Sequence, residues 1–132
     1  MRIRSYKLVD YPRVEALYQE FGWFDPETDS EPRLAEKIKR DPNSILVAEK
    51  GREVVGTVSI IEDGRIAWFF RLNAKSSFIR KKLIQHAEEL LKQKGYKEVH
   101  IFAPLNDQDR QKEYIQEGFI LGKEYKWAWK KL

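Results

Sequence analysis

One stretch, residues 71–91, constrains the fold of this chain more than any other. Its sequence, RLNAKSSFIRKKLIQHAEELL, indicates the end of a β-strand that runs almost directly into an amphipathic helix. Gly95 then suits the left-handed conformation that ends many helices. Because no glycine lies between Gly64 and Gly95, the turn from strand to helix is made without the most flexible residue.

The segments around this stretch predict a mixed sheet. Strands are expected at residues 2–7, 45–49, 53–61, 65–73, 99–103, 119–121 and 125–132. Asp63 and Gly64 are typical of a two-residue hairpin turn between the third and fourth of these strands. Antiparallel strands followed by a strand–helix–strand unit indicate a mixed, two-sided sheet.

Helices are predicted from caps and apolar stripes. Asp10 and Ser30 can cap two helices ahead of the second strand. The third helix is expected over residues 77–94, and Asn106 can cap a fourth that ends at Gly118. The predicted order is β-α-α-β-β-β-α-β-α-β-β, an α/β fold with an α+β mixed sheet.

Length and composition favour a single packed domain over residues 1–132 and exclude several kinds of chemistry. No apolar run approaches the roughly 20 residues of a membrane span, and the N-terminus lacks the apolar core of a signal peptide, so a cytoplasmic protein is expected. With no cysteine and two histidines, neither thiolate catalysis nor a metal site is expected. The net charge of +4 fits an anionic ligand such as a nucleotide cofactor, and it fits weak nucleic-acid binding equally well.

A Tyr-x-x-x-Gly-Phe element ends the fourth predicted helix, formed by Tyr114, Gly118 and Phe119. With this element and this order of strands and helices, nearly the whole chain resembles the GNAT N-acetyltransferase superfamily. The resemblance implies transfer of an acetyl group from acetyl-CoA to a primary amine by direct attack. It also implies that Tyr114 is the catalytic acid, which protonates the departing thiolate.

The resemblance places the cofactor at the end of the fourth strand. In the family the pantetheine arm adds to that strand by backbone hydrogen bonds, and the pyrophosphate lies on amides at the start of the next helix. The cofactor-binding residues so implied are Leu72, Asn73, Ala74, Ser77, Arg80, Lys81 and Asn106. The chain departs from the family because the glycine-rich Q/R-x-x-G-x-G/A turn is missing. Side-chain cations and serine hydroxyls could replace those amides, and the same residues also fit a solvated polar face.

The acidic and aromatic segment of residues 22–31 is a candidate acceptor site, because the family forms much of that site between its first two helices. Asp25, Glu27 and Asp29 would attract a cationic amine, and Trp23 would stack on it. An ordinary capped loop explains the same residues. The fourth strand carries no carboxylate that would act as a general base.

Two other functions stay open from the sequence. A non-catalytic binding or regulatory module of the same fold, which has lost CoA binding, would explain the missing glycines. A basic nucleic-acid-binding domain would use the cations of residues 75–82, but it lacks any motif of that kind, so nucleic acid is the least favoured partner. The expected partner is a small-molecule or peptide amine and not a membrane, and the sequence leaves the acceptor and the oligomeric state open.

Overall fold

The computed structural model describes residues 1–132, which form two compact units, residues 1–101 and 102–132. The first unit contains four antiparallel strands in the order β1-β2-β3-β4. These strands are β1 Arg2–Ser5, β2 Ile45–Lys50, β3 Glu53–Glu62 and β4 Ala67–Ala74. Its helices are a 3₁₀ turn Leu8–Asp10, α1 Tyr11–Glu20, α2 Glu31–Arg40 and α3 Ser77–Gln93. The second unit contains the helix α4 Gln108–Gln116.

The predicted order of elements from β1 to α3 is confirmed. Ser30 caps α2, because its hydroxyl accepts a hydrogen bond from an amide in the first turn at 3.4 Å. Gly95 follows α3 with a φ of 92°, as a left-handed helix end requires. Lys75 and Ser76 alone separate β4 from α3, so the strand does run almost directly into the helix. None of the helices combines the length and the apolar character needed to cross a membrane.

The turn between β3 and β4 is longer than predicted and takes residues 63–66, not Asp63 and Gly64 alone. The Asp63 carboxylate accepts hydrogen bonds from the amides of Arg65 and Ile66 at 2.9 and 3.0 Å. These bonds hold both residues in the turn, so β4 begins after them.

Two predicted helix caps belong to other residues. Asp10 does not cap α1 with its side chain, because its carboxylate accepts from the Lys7 amide and the Arg4 guanidinium. Asp107 caps α4 instead of Asn106, and its carboxylate accepts from an amide in the first turn at 2.9 Å.

The predicted fifth strand is reduced to an isolated parallel bridge between Trp68 and His100. The Phe69 amide donates to the His100 carbonyl, and the His100 amide donates to the Ala67 carbonyl, each at 2.9 Å. No ladder continues beyond this point. β4 bends at a bulge shortly afterwards, and Pro104 has no amide hydrogen to donate to a ladder.

The predicted C-terminal strand pair is not formed, since residues 119–132 contain no assigned strand. Tyr125, Trp127 and Trp129 are 78%, 70% and 73% exposed. Alternation of aromatic and lysine side chains determines which residues would share a face, but a strand also needs a hydrogen-bonded neighbour. The sequence therefore has the periodicity of a strand here, but it does not specify a neighbour with which the strand could pair.

The packing of α3 on the sheet depends on Gly56 of β3. An added Cβ at this position would lie 2.7 Å from the Leu83 side chain, 2.9 Å from the Ile79 side chain and 3.0 Å from the Asn73 carbonyl oxygen. These distances are shorter than van der Waals contact, so the helix packs directly on bare backbone.

Gly56→Ala is expected to destabilise the fold by about 1–3 kcal/mol, the usual cost of forcing an extra group into a packed core. Gly122→Ala is the matched control, because a Cβ at Gly122 meets no atom within 4 Å. Urea unfolding of both variants measures the difference. Equal stabilities would show that α3 moves away from β3 at little cost.

A cluster of charged side chains attaches β1 to the rest of the first unit. The Arg4 guanidinium donates to both carboxylate oxygens of Asp10 and to Glu49, each at 2.8 Å. Burial acts to raise the pKa of the Asp10 carboxyl, but hydrogen bonds from Arg4 and from the Lys7 amide outweigh it and hold this pKa below its usual value. The Arg4 hydrogen bond likewise lowers the pKa of Glu49. The cluster therefore stabilises the fold only while both carboxylates are ionised.

The free energy of unfolding is expected to fall in acid, and Asp10→Asn is expected to weaken that fall. A carboxyl whose pKa is lower in the folded state stabilises the fold above its unfolded pKa of about 3.9, and the contribution is lost as pH falls through the folded value. Urea unfolding of both proteins at about pH 7 and about pH 3 measures the difference. An identical pH dependence in the variant would contradict this role of Asp10.

Candidate active site

β4 carries a bulge in its second half. The β3–β4 register shifts between Thr57 and Ser59, so Arg71 and Leu72 lie opposite a single residue of β3. Arg71 has a φ of 52° and is the one non-glycine residue of the chain with a positive φ. Left-handed backbone is costly for such a residue and persists where its surroundings enforce it, often at functional sites.

Buried side chains hold the backbone of this bulge. The Arg71 carbonyl accepts from the Thr57 hydroxyl at 3.0 Å and from the Asn73 side-chain amide at 3.5 Å. The Leu72 carbonyl accepts from the Arg80 guanidinium at 3.3 Å. The residues that the resemblance assigns to the cofactor strand therefore lie in a firmly held segment.

The outer edge of β4 beyond the bulge is suited to pairing with another extended chain. The Lys75 amide donates to the Val55 carbonyl at 2.9 Å, so the alternation of an antiparallel ladder points the Ala74 amide and carbonyl away from β3. The isolated bridge on this side of β4, at Trp68, lies before the bulge. Residues 72–74 can therefore bind an extended ligand as a further strand would bind.

The start of α3 follows this edge and offers amides, hydroxyls and cations. The Ser76 hydroxyl caps the helix by accepting from the Ile79 amide at 3.2 Å. The amides of Ser77 and Phe78, ahead of it, have no acceptor within the helix. The exposed cations around this helix start are Lys75, Lys81 and Lys82. An anion here would meet a few amides and several lysines in place of a glycine-rich loop.

Arg80 differs from these lysines, although the sequence groups it with them. It is 3% exposed, and its guanidinium donates a hydrogen bond to the Leu72 carbonyl of β4. The spacing could have revealed this position, because Arg80 lies three and four residues before the buried Leu83 and Ile84. Arg80 thus supports the edge of β4, whereas Lys81 is free to meet a ligand.

The candidate acceptor segment forms a loop over residues 22–30, because Glu31 already begins α2; we name it the acceptor loop, and its own carboxylates shape it. Asp25 accepts from the amides of Glu27 and Thr28 at 2.8 and 3.1 Å, and these bonds, led by that of Thr28, hold the pKa of Asp25 below its usual value. The Glu27 carboxylate is exposed and has no ion-pair partner, and Trp23 is about half exposed at 45%. Glu27 and Trp23 are therefore available to a ligand, whereas Asp25 has a structural role.

Asp29 belongs to a buried ion pair that no sequence pattern indicated. Its carboxylate accepts from Arg71 Nε at 3.0 Å and from Arg71 Nη2 at 2.8 Å. The partners are 42 positions apart, so neither helical nor strand spacing relates them. Because Arg71 already neutralises it, Asp29 is not free to attract an amine.

A cavity of about 700 Å³ lies beside the acceptor loop and α2. Acids and bases both line it, among them Glu27, Glu36, Arg33 and Lys37. Burial lowers the pKa of Lys37, whose Nζ donates to a backbone carbonyl at 2.5 Å. No residue of the β4 bulge lines this cavity.

In the second unit, Tyr114 lies in the last turn of α4 and is 7% exposed. Its ring centroid is 5.7 Å from that of Phe119, and the Phe119 amide donates to the Tyr114 carbonyl at 3.0 Å. The chain reverses after α4 to make these contacts, and Gly118 allows this reversal with a φ of 95°. The Tyr-x-x-x-Gly-Phe element is therefore a compact helix end, and the exposed Asn106 precedes the same helix.

Neither histidine belongs to the β4 bulge, to the start of α3 or to the acceptor loop. His100 Nε2 lies 3.3 Å from Glu98, and its ring contacts that of Trp68 at 5.0 Å between centroids. His86 is exposed on α3. No group of three or more histidine, aspartate and glutamate side chains is arranged to hold a metal ion.

Comparison with known sequences agrees with this geometry. The model of the GNAT acetyltransferase family matches residues 14–119. An acetyltransferase of Pectobacterium atrosepticum is 30% identical over 105 residues, which cover 76% of this chain and 74% of the relative. An acetyltransferase of Photorhabdus laumondii is 30% identical over 108 residues, which cover 79% and 76%. The chain belongs to the GNAT family of acetyltransferases.

Solved structures show the same architecture. The PaiA N-acetyltransferase from Thermoplasma acidophilum, in complex with coenzyme A, superposes with a TM-score of 0.75 at 20% identity. The match covers 94% of this chain and 92% of that one. The α/β fold that the sequence predicted is thus confirmed as the GNAT fold, and its sheet consists of four antiparallel strands with one isolated parallel bridge.

Proposed function

We propose that the protein transfers the acetyl group of acetyl-CoA to a primary amine. The observation that carries this proposal is the bulged end of β4, where residues 72–74 offer an open strand edge directly before the start of α3. Family membership supports acetyl transfer. The Thermoplasma acidophilum N-acetyltransferase of the same fold, in complex with coenzyme A, supports CoA as the carrier.

The chain's own groups suit the two ends of such a cofactor. A strand edge matches an extended arm rich in amides, and a helix start with lysines matches phosphates. The proposed cofactor-binding residues are Leu72, Asn73, Ala74, Ser77, Lys81 and Asn106. Arg80 would act through the strand, because its guanidinium holds the Leu72 carbonyl. Bound acetyl-CoA would supply the acyl group as a thioester.

Direct attack by the amine, without an acyl-enzyme, agrees with the absence of cysteine. Those backbone amides near Leu72 and Asn73 that point away from β3 would polarise the thioester carbonyl as negative charge develops on its oxygen. The Tyr114 hydroxyl would donate the proton that the departing sulfur needs.

A primary amine, on a small molecule or a peptide, is the proposed acceptor. Glu27 carries the one carboxylate of the acceptor loop without a structural partner, and Trp23, four residues before it, offers a half-exposed ring. A cationic acceptor would find both groups on the same loop.

The second candidate is a binding or regulatory module of the same fold that does not bind CoA. The missing glycines favour it, because side chains at Lys75, Ser76 and Ser77 restrict how closely a pyrophosphate can approach the backbone.

Calorimetric titration with acetyl-CoA and with desulfo-CoA separates the two candidates. The proposed function predicts that both bind, because both carry the phosphates. It also predicts release of free thiol from acetyl-CoA when a panel of primary amines is added. Absence of binding at millimolar cofactor would favour the non-catalytic module.

Glu27→Gln is expected to raise the KM for cadaverine about two- to fivefold, the scale of an exposed ion pair. The KM for pentylamine, which lacks the second ammonium, should change less. Glu89→Gln, an exposed carboxylate on α3, is the control for loss of charge. Equal effects on both amines would remove Glu27 from acceptor recognition.

A further inference from the structure

The ion pair of Asp29 and Arg71 connects two parts of the candidate active site that are far apart in sequence. Asp29 ends the acceptor loop, and Arg71 is the left-handed residue at the β4 bulge. The pair is nearly closed to solvent, with the side chains 3% and 11% exposed. Solvent therefore screens it little, and its two parallel hydrogen bonds fix both distance and orientation.

Asp29 also holds the acceptor loop together. Its carboxylate accepts from the Asp25 amide at 2.9 Å, and its backbone carbonyl accepts from the Tyr11 hydroxyl at 2.9 Å. One carboxylate thus contacts the start of the loop turn and the cation on β4. Loss of its charge would weaken both contacts at once, because each would lose its charge assistance.

The surroundings of Arg71 fix it as firmly. The guanidinium carbon lies 4.3 Å from the Phe70 ring centroid and 6.0 Å from that of Tyr18, and the Arg71 carbonyl is held by Thr57. Arg71 is therefore held through both its backbone and its side chain, and the ion pair connects the loop to this held residue.

We propose that Asp29 and Arg71 are positioning residues for acetyl transfer, whose ion pair fixes the acceptor loop against the strand that carries the acyl donor. The proposal rests on the proposed function, since that function gives the loop and the strand their roles. Neither side chain needs to touch the reacting atoms. The pair would act by setting where the acceptor is held relative to the bulge, since small misplacements cost much of the rate.

The chain provides a matched control in the Arg4–Asp10 pair. This pair is also bidentate, at 2.8 Å for both bonds, and its side chains are 14% and 1% exposed. Asp10→Asn and Asp29→Asn therefore remove the same charge from similarly buried guanidinium pairs. They differ in whether the acceptor loop is attached, and Arg4 keeps Glu49 as a second carboxylate partner whereas Arg71 does not.

Hydrogen–deuterium exchange of the protein without ligands tests the attachment. Asp29→Asn is expected to speed exchange of the Asp25 and Asp29 amides at least about tenfold, because both are protected in the closed loop. Arg71→Asn, which keeps a residue tolerant of left-handed backbone, should do the same. Asp10→Asn should leave these amides unchanged. Unchanged exchange in the first two variants would overturn the proposal.

Steady-state kinetics with acetyl-CoA and cadaverine test the functional role. Asp29→Asn is expected to raise the KM for cadaverine about tenfold while the calorimetric Kd for acetyl-CoA changes less than about twofold. Arg71→Lys should raise this KM less than Arg71→Asn does, since lysine keeps the charge without the bidentate geometry. Equal changes in Asp29→Asn and Asp10→Asn would show a purely structural role and overturn the proposal.

The outcome can be told apart from failure of the proposed function. Wild-type protein that binds no acetyl-CoA and acetylates no amine would contradict the proposed function and, with it, the role in transfer. Faster exchange of the loop amides would then still show that the pair holds the loop. Normal wild-type turnover with an unchanged cadaverine KM in Asp29→Asn would contradict this inference alone.

Discussion

Tyr114→Phe is expected to lower kcat about 100-fold or more with acetyl-CoA and an amine, and to leave acetyl-CoA affinity nearly unchanged. The substitution removes only the hydroxyl and keeps the ring that packs at 5.7 Å from Phe119. A lost general acid costs roughly 10²–10⁴-fold, because the leaving sulfur must then depart without a proton from the protein. Thiol release under saturating substrate measures the effect.

Tyr125→Phe is the matched control, because Tyr125 belongs to the same unit and is exposed. It should behave as the wild type. The melting temperature decides between the two roles of Tyr114. A large loss of turnover at an unchanged melting temperature supports the acid. Unchanged turnover would remove Tyr114 from the mechanism, and a fall in melting temperature that accounts for the lost activity would indicate a packing role.

The fold was predictable wherever short-range patterns determine it. Ser30 and Gly95 mark helix ends through groups that lie within a few residues of each other, and both marks are confirmed. The Asp63–Gly64 reversal was predicted in the right place, but not its length. That length depends on which amides the Asp63 carboxylate accepts, and composition does not specify them.

The parts that the sequence did not reveal depend on long-range contacts. The left-handed Arg71 lies in an ordinary strand pattern, and the bulge appears only in the register against β3. The sequence places Asp29 among the free acids of its loop, because its partner is 42 positions away. The alternating C-terminal sequence predicted strands that are not formed. Its periodicity is that of a strand, but no neighbouring strand pairs with it.

Substitution of the neighbouring cations Arg80 and Lys81 by alanine is expected to affect different properties of the protein, stability for Arg80 and cofactor binding for Lys81. Lys81 is exposed at the start of α3, where a charge-assisted hydrogen bond to a phosphate is worth about 1–3 kcal/mol. Lys81→Ala should therefore weaken acetyl-CoA binding roughly 5- to 150-fold, with little change in melting temperature. The remaining affinity should depend less on salt than that of the wild type.

Arg80→Ala should instead destabilise the protein, because Arg80 is buried and its loss leaves the Leu72 carbonyl without this donor. An unsatisfied buried acceptor costs about 1–3 kcal/mol, and the lost packing of the side chain adds to this. Calorimetric titration with desulfo-CoA at low and high salt, together with thermal unfolding, separates the two effects. Tight binding whose affinity changes neither with salt nor in Lys81→Ala would show that the amides of Ser77 and Phe78 suffice to bind the phosphates. The glycine-free turn would then be a complete anion site by itself, and the lysines around it would be only a solvated surface.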